Sequence, residues 1–298
     1  MKNTFIFDSV KAYNDFNNHP TLHPLVSVLD FSKASPRSGP KMTFGIYTII
    51  LKEVKCGDLA YGKHTYDYQE GTLVFIGPGQ EVDVSNKKDV YQPAGRGLTF
   101  HPDLMLGTSL AKQVDEYGFF SYNLNEALHL SPEEQQTILD CFAKIENELK
   151  RPVDKHSKKL IASNIGLFLD YCERFYDRQF ITREHVNTGI LARFEEELKG
   201  YLNSEKPYSM GLPSVSYFAE ELHLSSNYFG DLVKKETGKS AQEFIQTKLI
   251  EIAKDKIFDS EKSVKEIAFE LGFKYPQHFS RLFKQKVGVT PGEFREGS

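Results

Sequence analysis

The chain has 298 residues, of which 40% are hydrophobic and 26% are charged, as expected for a soluble protein of about two domains. Its formal net charge of -4 excludes a chain that binds nucleic acid through an overall basic surplus, so any such affinity must come from a local arrangement of charges. The three cysteines, Cys56, Cys141 and Cys172, fit neither a disulfide framework nor the paired spacing of a zinc site.

The beginning of the chain, "MKNTFIFDSVKAYNDF", has no basic segment followed by a long apolar run. No stretch approaches the roughly twenty apolar residues that a membrane-spanning helix needs. The sequence therefore predicts a cytoplasmic protein without a membrane partner.

The region from Pro24 to about Phe100 alternates β-branched and aromatic residues, with Gly and Pro between the runs. This pattern is typical of β-strands joined by tight turns. Within it, "YQEGTLVFIGPGQEV" resembles the second half of a cupin barrel motif, which implies a jelly-roll barrel. Metal-bearing cupins have paired histidines and a glutamate before this stretch and another histidine after it. Here His64 stands alone, and Gln80 and Glu81 follow the turn, so we expect no metal, no cofactor and no catalytic residues.

Two amphipathic helices are predicted after the β region. The first begins at Ser131, which is placed to cap the helix together with Glu134. In the second, apolar residues recur at spacings of three and four at Leu160, Ile161, Ile165, Phe168, Leu169 and Cys172. This apolar stripe either packs on its own β domain or forms the seam of a homodimer. The polar run 176–185 that follows is predicted to be a linker.

The C-terminal region contains a repeat of about thirty residues, in 215–244 and again in 264–294. Ala219 aligns with Ala268 at an offset of 49, and one extra residue in the second copy then shifts the offset to 50. Such a repeat predicts two copies of one structural unit.

Each copy has the pattern of a short helix, a tight turn and a second helix. In the second copy, Ser263 and Glu266 form a capping box, Gly272 supplies a positive φ after the first helix, and Pro276 begins the next one. This is the pattern of a helix-turn-helix, whose second helix enters the DNA major groove.

The stretch "IAFELGFKYPQHFSRLFKQKVGVTPGEFR" resembles the C-terminal signature of AraC/XylS-type bacterial transcription regulators. The matching positions are Ile267, Ala268, Gly272, Phe273, Phe279, Arg281, Phe283, Lys284, Gly288, Pro291 and Arg295. The resemblance covers about the last 110 residues, from near Thr188. It implies two helix-turn-helix units joined by one long helix, here Ala241 to Phe258.

The resemblance assigns DNA-facing roles to polar side chains that the core of the second unit does not need. These are Gln277, His278 and Arg281, with Lys274 and Tyr275 just before the helix and Lys284 as a phosphate contact. In the first unit the same reasoning selects Ser226, Asn227, Gly230 and Asp231, with Lys234 as a phosphate contact. Because Gly230 has no side chain and Asp231 is acidic, we expect the first unit to read less sequence than the second.

The predicted fold class is therefore α+β multidomain. Residues 1–178 are expected to form a cupin-like β-barrel (jelly roll) with two following helices, for effector sensing and dimerisation. Residues 179–298 are expected to form the all-α double helix-turn-helix domain. The expected partners are double-stranded DNA at an operator or promoter, a small-molecule effector of unknown identity, a second copy of the chain, and RNA polymerase as a further candidate.

Two alternatives remain beside a transcription regulator. One is a cupin-type metal-dependent enzyme, for which the ligand set is incomplete. The other is a DNA-architectural protein without an effector, which would have no use for the long N-terminal region.

Overall fold

The computed structural model describes residues 4–38, 41–52, 59–61, 64–66, 71–83, 90–182, 184–258 and 262–296. These residues fall into two compact units, Met1–Thr182 and Arg183–Ser298. None of the described helices has the length and apolarity that a membrane crossing requires.

The first unit contains ten strands among its described residues. They are β1 (Thr4–Phe7), β2 (Val26–Asp30), β3 (Lys41–Phe44), β4 (Tyr47–Lys52), β5 (Leu59–Tyr61), β6 (His64–Tyr66), β7 (Thr72–Ile76), β8 (Glu81–Asp83), β9 (Arg96–Phe100) and β10 (Leu128–His129). They form a five-stranded antiparallel sheet in the order β10-β7-β4-β9-β2, a three-stranded sheet β1-β3-β8 and the pair β5-β6. In the described part of the unit these sheets remain separate and do not close into a barrel.

Both faces of the five-stranded sheet are covered, which explains why every residue of β7 is buried. On one face, Val74 and Ile76 join an apolar cluster with Phe44 of β3. On the other face, Phe75 packs against Phe119, with ring centroids 4.5 Å apart. The sheet is thus the middle layer of the unit.

The helices of the first unit are α1 (Val10–Phe16), α2 (Leu110–Gln113), α3 (Pro132–Leu149) and α4 (Ser157–Thr182). The predicted cap of α3 is confirmed, since the Ser131 hydroxyl accepts from the Glu134 amide at 3.2 Å and the Glu134 carboxylate accepts from the Ser131 amide at 2.8 Å. Helices α3 and α4 pack together, with Phe142 and Phe168 at a centroid distance of 5.4 Å. Most of the α4 stripe is buried within this unit, whereas Leu160 is 46% exposed.

The prediction of a linker over 176–185 is wrong, because α4 continues to Thr182 and the next helix begins at Glu184. Polar residues in this stretch bind the backbone of a sheet-edge strand. The Arg178 guanidinium donates to the His129 carbonyl at 2.6 Å, and the Gln179 side chain accepts from the His129 amide at 2.7 Å. The polar composition therefore serves long-range packing within the first unit, which local sequence patterns do not reveal.

The regular secondary structure of the second unit, among its described residues, is entirely helical. Its helices are α5 (Glu184–Leu202), α6 (Lys206–Met210), α7 (Val215–Glu221), α8 (Ser226–Thr237), α9 (Ala241–Ile257), α10 (Val264–Glu270), α11 (Pro276–Val287) and α12 (Pro291–Glu296). Buried aromatic rings form the core of each half, with Phe194 against Phe229 at 4.9 Å in one and Phe279 against Phe283 at 5.8 Å in the other. The long helix α9 joins the two halves.

Candidate nucleic-acid interface

The two sequence repeats fold into the same local structure. Helices α7 and α8 form one helix-turn-helix, and α10 and α11 form the other. The same hydrogen bond closes the turn in both copies. The Leu224 amide donates to the Ala219 carbonyl at 2.8 Å, and the Phe273 amide donates to the Ala268 carbonyl at 2.9 Å. Each closing bond lies at an equivalent position of the repeat, so the alignment made on sequence corresponds to a structural duplication.

The residue before each closing bond is in the left-handed backbone region. Gly272 has φ of +90°, as predicted, and at the equivalent position of the first copy His223 has φ of +59°. Sequence reasoning missed His223, because a histidine in this conformation carries no local signal comparable to glycine.

Helix α11 separates a buried aromatic side from an exposed polar side. Phe279 and Phe283 are fully buried. Gln277, His278 and Arg281 are all exposed on the outside of the helix. Packing of the aromatic side thus holds the helix in place while its polar side remains accessible.

Three of the predicted site residues lie together at the beginning of α11. The Tyr275 ring lies 5.5 Å from the His278 ring in an edge-on arrangement. The Lys274 ammonium lies 5.7 Å from the centre of the Tyr275 ring. The three side chains form one exposed aromatic and basic cluster beside Gln277.

The charge of α11 is entirely basic. It carries Arg281, Lys284 and Lys286 and no acidic residue. The two lysines lie in the last turn, where positive charge is favoured by the helix dipole. Gly288, with φ of +94°, then ends the helix. Exposed basic side chains of this kind are suited to contacts with phosphate groups.

Helix α8 also has a buried apolar side, but its exposed side carries different residues from that of α11. Ser226, Asn227 and Lys234 are exposed, whereas Asp231 is half-buried. The helix carries two acidic and two basic residues. A Cβ added at Gly230 would meet no atom within 4 Å, so this part of the outer side is bare.

Gln80 and Glu81, which follow the Pro-Gly turn where a metal-bearing cupin has a ligand, both bind other protein groups. Gln80 accepts from the Gly77 amide at 2.9 Å and donates to the Phe120 carbonyl at 2.8 Å, which closes the turn. Glu81 pairs with Lys41 at 2.8 Å. No group of three His, Cys, Asp or Glu side chains that could hold a metal occurs in the described ranges, and the side chain of His64 lies outside them.

Cys141 and Cys172 are buried free thiols, and burial raises the pKa of both. A buried thiol with a raised pKa is a poor nucleophile and a poor metal ligand. Cys56 lies outside the described residues.

A helix-turn-helix domain family model matches residues 218–297. The uncharacterized HTH-type transcriptional regulator YfiF of Bacillus subtilis strain 168 is 31% identical over 161 residues, covering 54% of this chain and 48% of the relative. The HTH-type transcriptional activator RhaS of Citrobacter koseri is 24% identical over 268 residues, covering 83% of this chain and 92% of the relative.

Among solved structures, the C-terminal domain of the two-component response regulator yesN from Fusobacterium nucleatum is 30% identical with a TM-score of 0.30. The match covers 34% of this chain and 96% of that domain. The chain spans about half the length of YfiF and a smaller share of two further Bacillus subtilis regulators. With the duplicated helix-turn-helix and the family match over 218–297, this part of the chain is an AraC-type helix-turn-helix domain.

Proposed function

We propose that the chain is a sequence-specific DNA-binding regulator of transcription in which α11 reads most of the base sequence. The observation that carries this proposal is the outer side of α11, where Gln277 and Arg281 are exposed next to a basic last turn. An arginine suits the O6 and N7 acceptors of guanine, and a glutamine suits the N6 and N7 groups of adenine. Lys284 contacts phosphate and so adds affinity without sequence preference.

The separation of the two helix-turn-helix units suits two successive major grooves. The 17 residues of α9 span about 26 Å at a rise of about 1.5 Å per residue. Successive major-groove sites on one face of the duplex are about 34 Å apart. The length of α9 is therefore compatible with the placement of α8 and α11 in successive major grooves.

The first helix-turn-helix contributes fewer base contacts in this proposal. Asn227 is its best base reader, because it is exposed and carries an amide. Gly230 adds no side chain, and Lys234 provides a phosphate contact. The DNA-facing set is Ser226, Asn227, Asp231, Lys234, Lys274, Tyr275, Gln277, His278, Arg281 and Lys284.

The N-terminal region is proposed to sense a small-molecule effector and to dimerise. In this assignment residues 1–178 form the sensing and dimerisation domain, with a cupin-like barrel as the proposed fold, and residues 179–298 form the DNA-binding domain. RNA polymerase is a further proposed partner, since RhaS, which matches most of this chain, is named a transcriptional activator. A thermal-shift screen with sugars and other small metabolites tests the effector, because a ligand that binds the folded state raises its melting temperature.

Selection from random-sequence duplex DNA tests the function directly. We expect the wild-type protein to enrich one motif and to protect it in a footprint. Arg281→Ala should relax preference at particular base pairs, at a cost of about 1–3 kcal/mol for the lost bidentate contact. Lys284→Ala should instead weaken binding to all sequences alike and reduce its salt dependence.

The pair of variants also separates the proposal from its alternatives. An architectural protein would bind without enriching a motif, and both variants would then lower affinity uniformly. A wild-type protein that binds no duplex in the selection would contradict the proposed function.

A further inference from the structure

Gly272 lies directly against the backbone of Gly211, which ends the short helix α6 on the side of the first helix-turn-helix. A Cβ built on Gly272 would lie 2.7 Å from the Gly211 carbonyl carbon, 2.8 Å from its oxygen and 2.9 Å from the Leu212 amide nitrogen. All three are backbone atoms, so no side-chain movement could relieve the overlap. Only glycine fits at position 272.

The internal repeat shows that the turn itself does not require glycine. His223 is the equivalent residue of the first copy, at the offset of 49, and it adopts the same left-handed conformation with φ of +59°. Its side chain is exposed, and the turn closes with the same hydrogen bond. What distinguishes Gly272 is therefore its contact with Gly211.

Gly211 is anchored to the first helix-turn-helix. Its amide donates to the Pro207 carbonyl at 2.9 Å, and its carbonyl accepts from the Tyr201 hydroxyl at 3.0 Å. The Tyr201 ring in turn packs edge-on against Tyr217 of α7 at 5.2 Å. The segment that meets Gly272 is thus part of the folded first half.

On the other side of the contact, α10 is tied to the long helix. Glu270, at the end of α10, pairs with Lys256 of α9 at 3.2 Å and with Lys262 at 2.7 Å. Helix α10 therefore has one connection to α9 and another to the end of α6. The two helix-turn-helix units are joined by the covalent helix and by a second contact that is distant in sequence.

We infer that the Gly211–Gly272 contact is a brace that, together with α9, holds α8 and α11 at one separation and one relative rotation. A single helix would let the two units turn and bend at its ends, whereas a second close-packed contact removes that freedom. The brace thereby sets the spacing between the DNA subsites that the two units read. This inference rests on the proposed function.

The experiment measures how affinity depends on the spacing between the two subsites. The probe is the duplex that the full-length wild-type protein selects from a random-sequence pool, with derivatives carrying one or two base pairs inserted between the footprinted halves. Each inserted base pair rotates one half by about 35° and shifts it by about 3.4 Å relative to the other. For the wild-type protein we expect the insertions to lower affinity about tenfold or more, comparable to at least one mismatched base pair.

Gly272→Ala should lower the affinity for the original duplex. In this variant the inserted base pairs should reduce the affinity much less than they do in the wild-type protein. Gly288→Ala is the matched control, since Gly288 has φ of +94° but a Cβ there would meet no atom within 4 Å. It carries the same backbone strain without the collision, so it should keep the wild-type dependence on spacing. Tyr201→Phe, which removes the hydrogen bond to Gly211 and keeps the ring, should reduce the spacing penalty partly.

Equal spacing penalties in Gly272→Ala, Gly288→Ala and the wild-type protein would overturn the brace and leave the proposed function intact. If circular dichroism shows that Gly272→Ala does not fold, Tyr201→Phe decides, and a wild-type penalty in that variant overturns the brace. A wild-type protein that selects no motif contradicts the proposed function and the brace together.

Discussion

Asp231 and Arg281 occupy equivalent positions of the two repeats, at the offset of 50, and carry opposite charges. Both belong to the outer part of a recognition helix, although Asp231 is half-buried and Arg281 is exposed. Near a phosphate backbone a carboxylate opposes binding, whereas a guanidinium favours it. The duplication has therefore kept the backbone of the helix-turn-helix while the side chains proposed to face DNA diverged.

Reversing the charge of Asp231 tests whether the first helix-turn-helix reads sequence at this position. We expect Asp231→Arg to tighten binding to many duplexes at once and to increase the salt dependence, because it removes a repulsion and adds a phosphate contact. Binding titrations at two salt concentrations, on selected and scrambled duplexes, measure both effects. Loss of preference at a single cytosine, with no general tightening, would show instead that Asp231 accepts a hydrogen bond from that base.

Individual helices follow closely from sequence where their determinants are local. The capping boxes at Ser131 and Ser263 formed as predicted, because each depends on two residues three positions apart. The extension of α4 beyond 176 could not be predicted in this way. Its polar residues bind His129, almost fifty residues earlier in the chain, and that partner is set by tertiary packing.

The candidate site shows the same division between local and long-range determinants. Exposure of Gln277 and Arg281 follows from the spacing of the buried Phe279 and Phe283 along one helix. The contact between Gly272 and Gly211 does not follow from local sequence, since four helices separate these residues along the chain and the contact exists only in the folded unit.

Three helices of the second unit carry, in the first turn, a glutamate that makes the stability of the unit depend on pH. Hydrogen bonds from the N-cap residues Ser240, Ser263 and Thr290 lower the pKa of Glu243, Glu266 and Glu293 below the usual 4.5. A lowered pKa in the folded state means that the unfolded state binds the proton more tightly. The stabilisation from these groups is therefore present above about pH 4.5 and is lost as the pH falls through the folded-state pKa values.

Replacing these three glutamates with glutamine should flatten the loss of stability at acid pH, because the amide oxygen can still accept hydrogen bonds but does not titrate. Urea unfolding at a series of pH values below and above about 4.5 measures the effect. The matched control is the triple replacement of Glu195, Glu196 and Glu197, three exposed glutamates of α5, by glutamine. The same flattening in the control would refute the role of the capping hydrogen bonds.

At the scale of the whole molecule, the net charge of -4 and a DNA-binding role are compatible because charge is distributed unevenly. Helix α11 has three basic residues and no acidic one, whereas α8 is balanced. In the proposed function, affinity for DNA is therefore concentrated in α11. A second copy of the chain would double that contribution on one operator, which gives dimerisation a direct physical consequence for binding.

The exposed side of α4 is where we expect the second copy to bind. Leu160, Leu167 and Ile181 are 46%, 39% and 74% exposed, and their spacings of 7 and 14 residues place them on one side of the helix. The opposite side of α4 packs within its own unit through Ile165, Phe168 and Leu169. Substitutions on the exposed side should therefore disturb association and leave the fold of the unit unchanged.

Leu160→Glu combined with Leu167→Glu should convert a dimer into a monomer at micromolar concentration, because two carboxylates would be buried at the seam without partners. Light scattering measures the mass, and circular dichroism with thermal unfolding confirms that the fold is kept. Thr188→Glu combined with Ala192→Glu, at two exposed positions of α5, adds the same charge away from α4 and should remain dimeric. A wild-type protein that is monomeric under these conditions would rule out the seam, as would a leucine double variant that stays dimeric. If the seam is correct, the leucine variant should also lose the avidity of the dimer on an operator with two sites while binding a single site as the wild-type protein does.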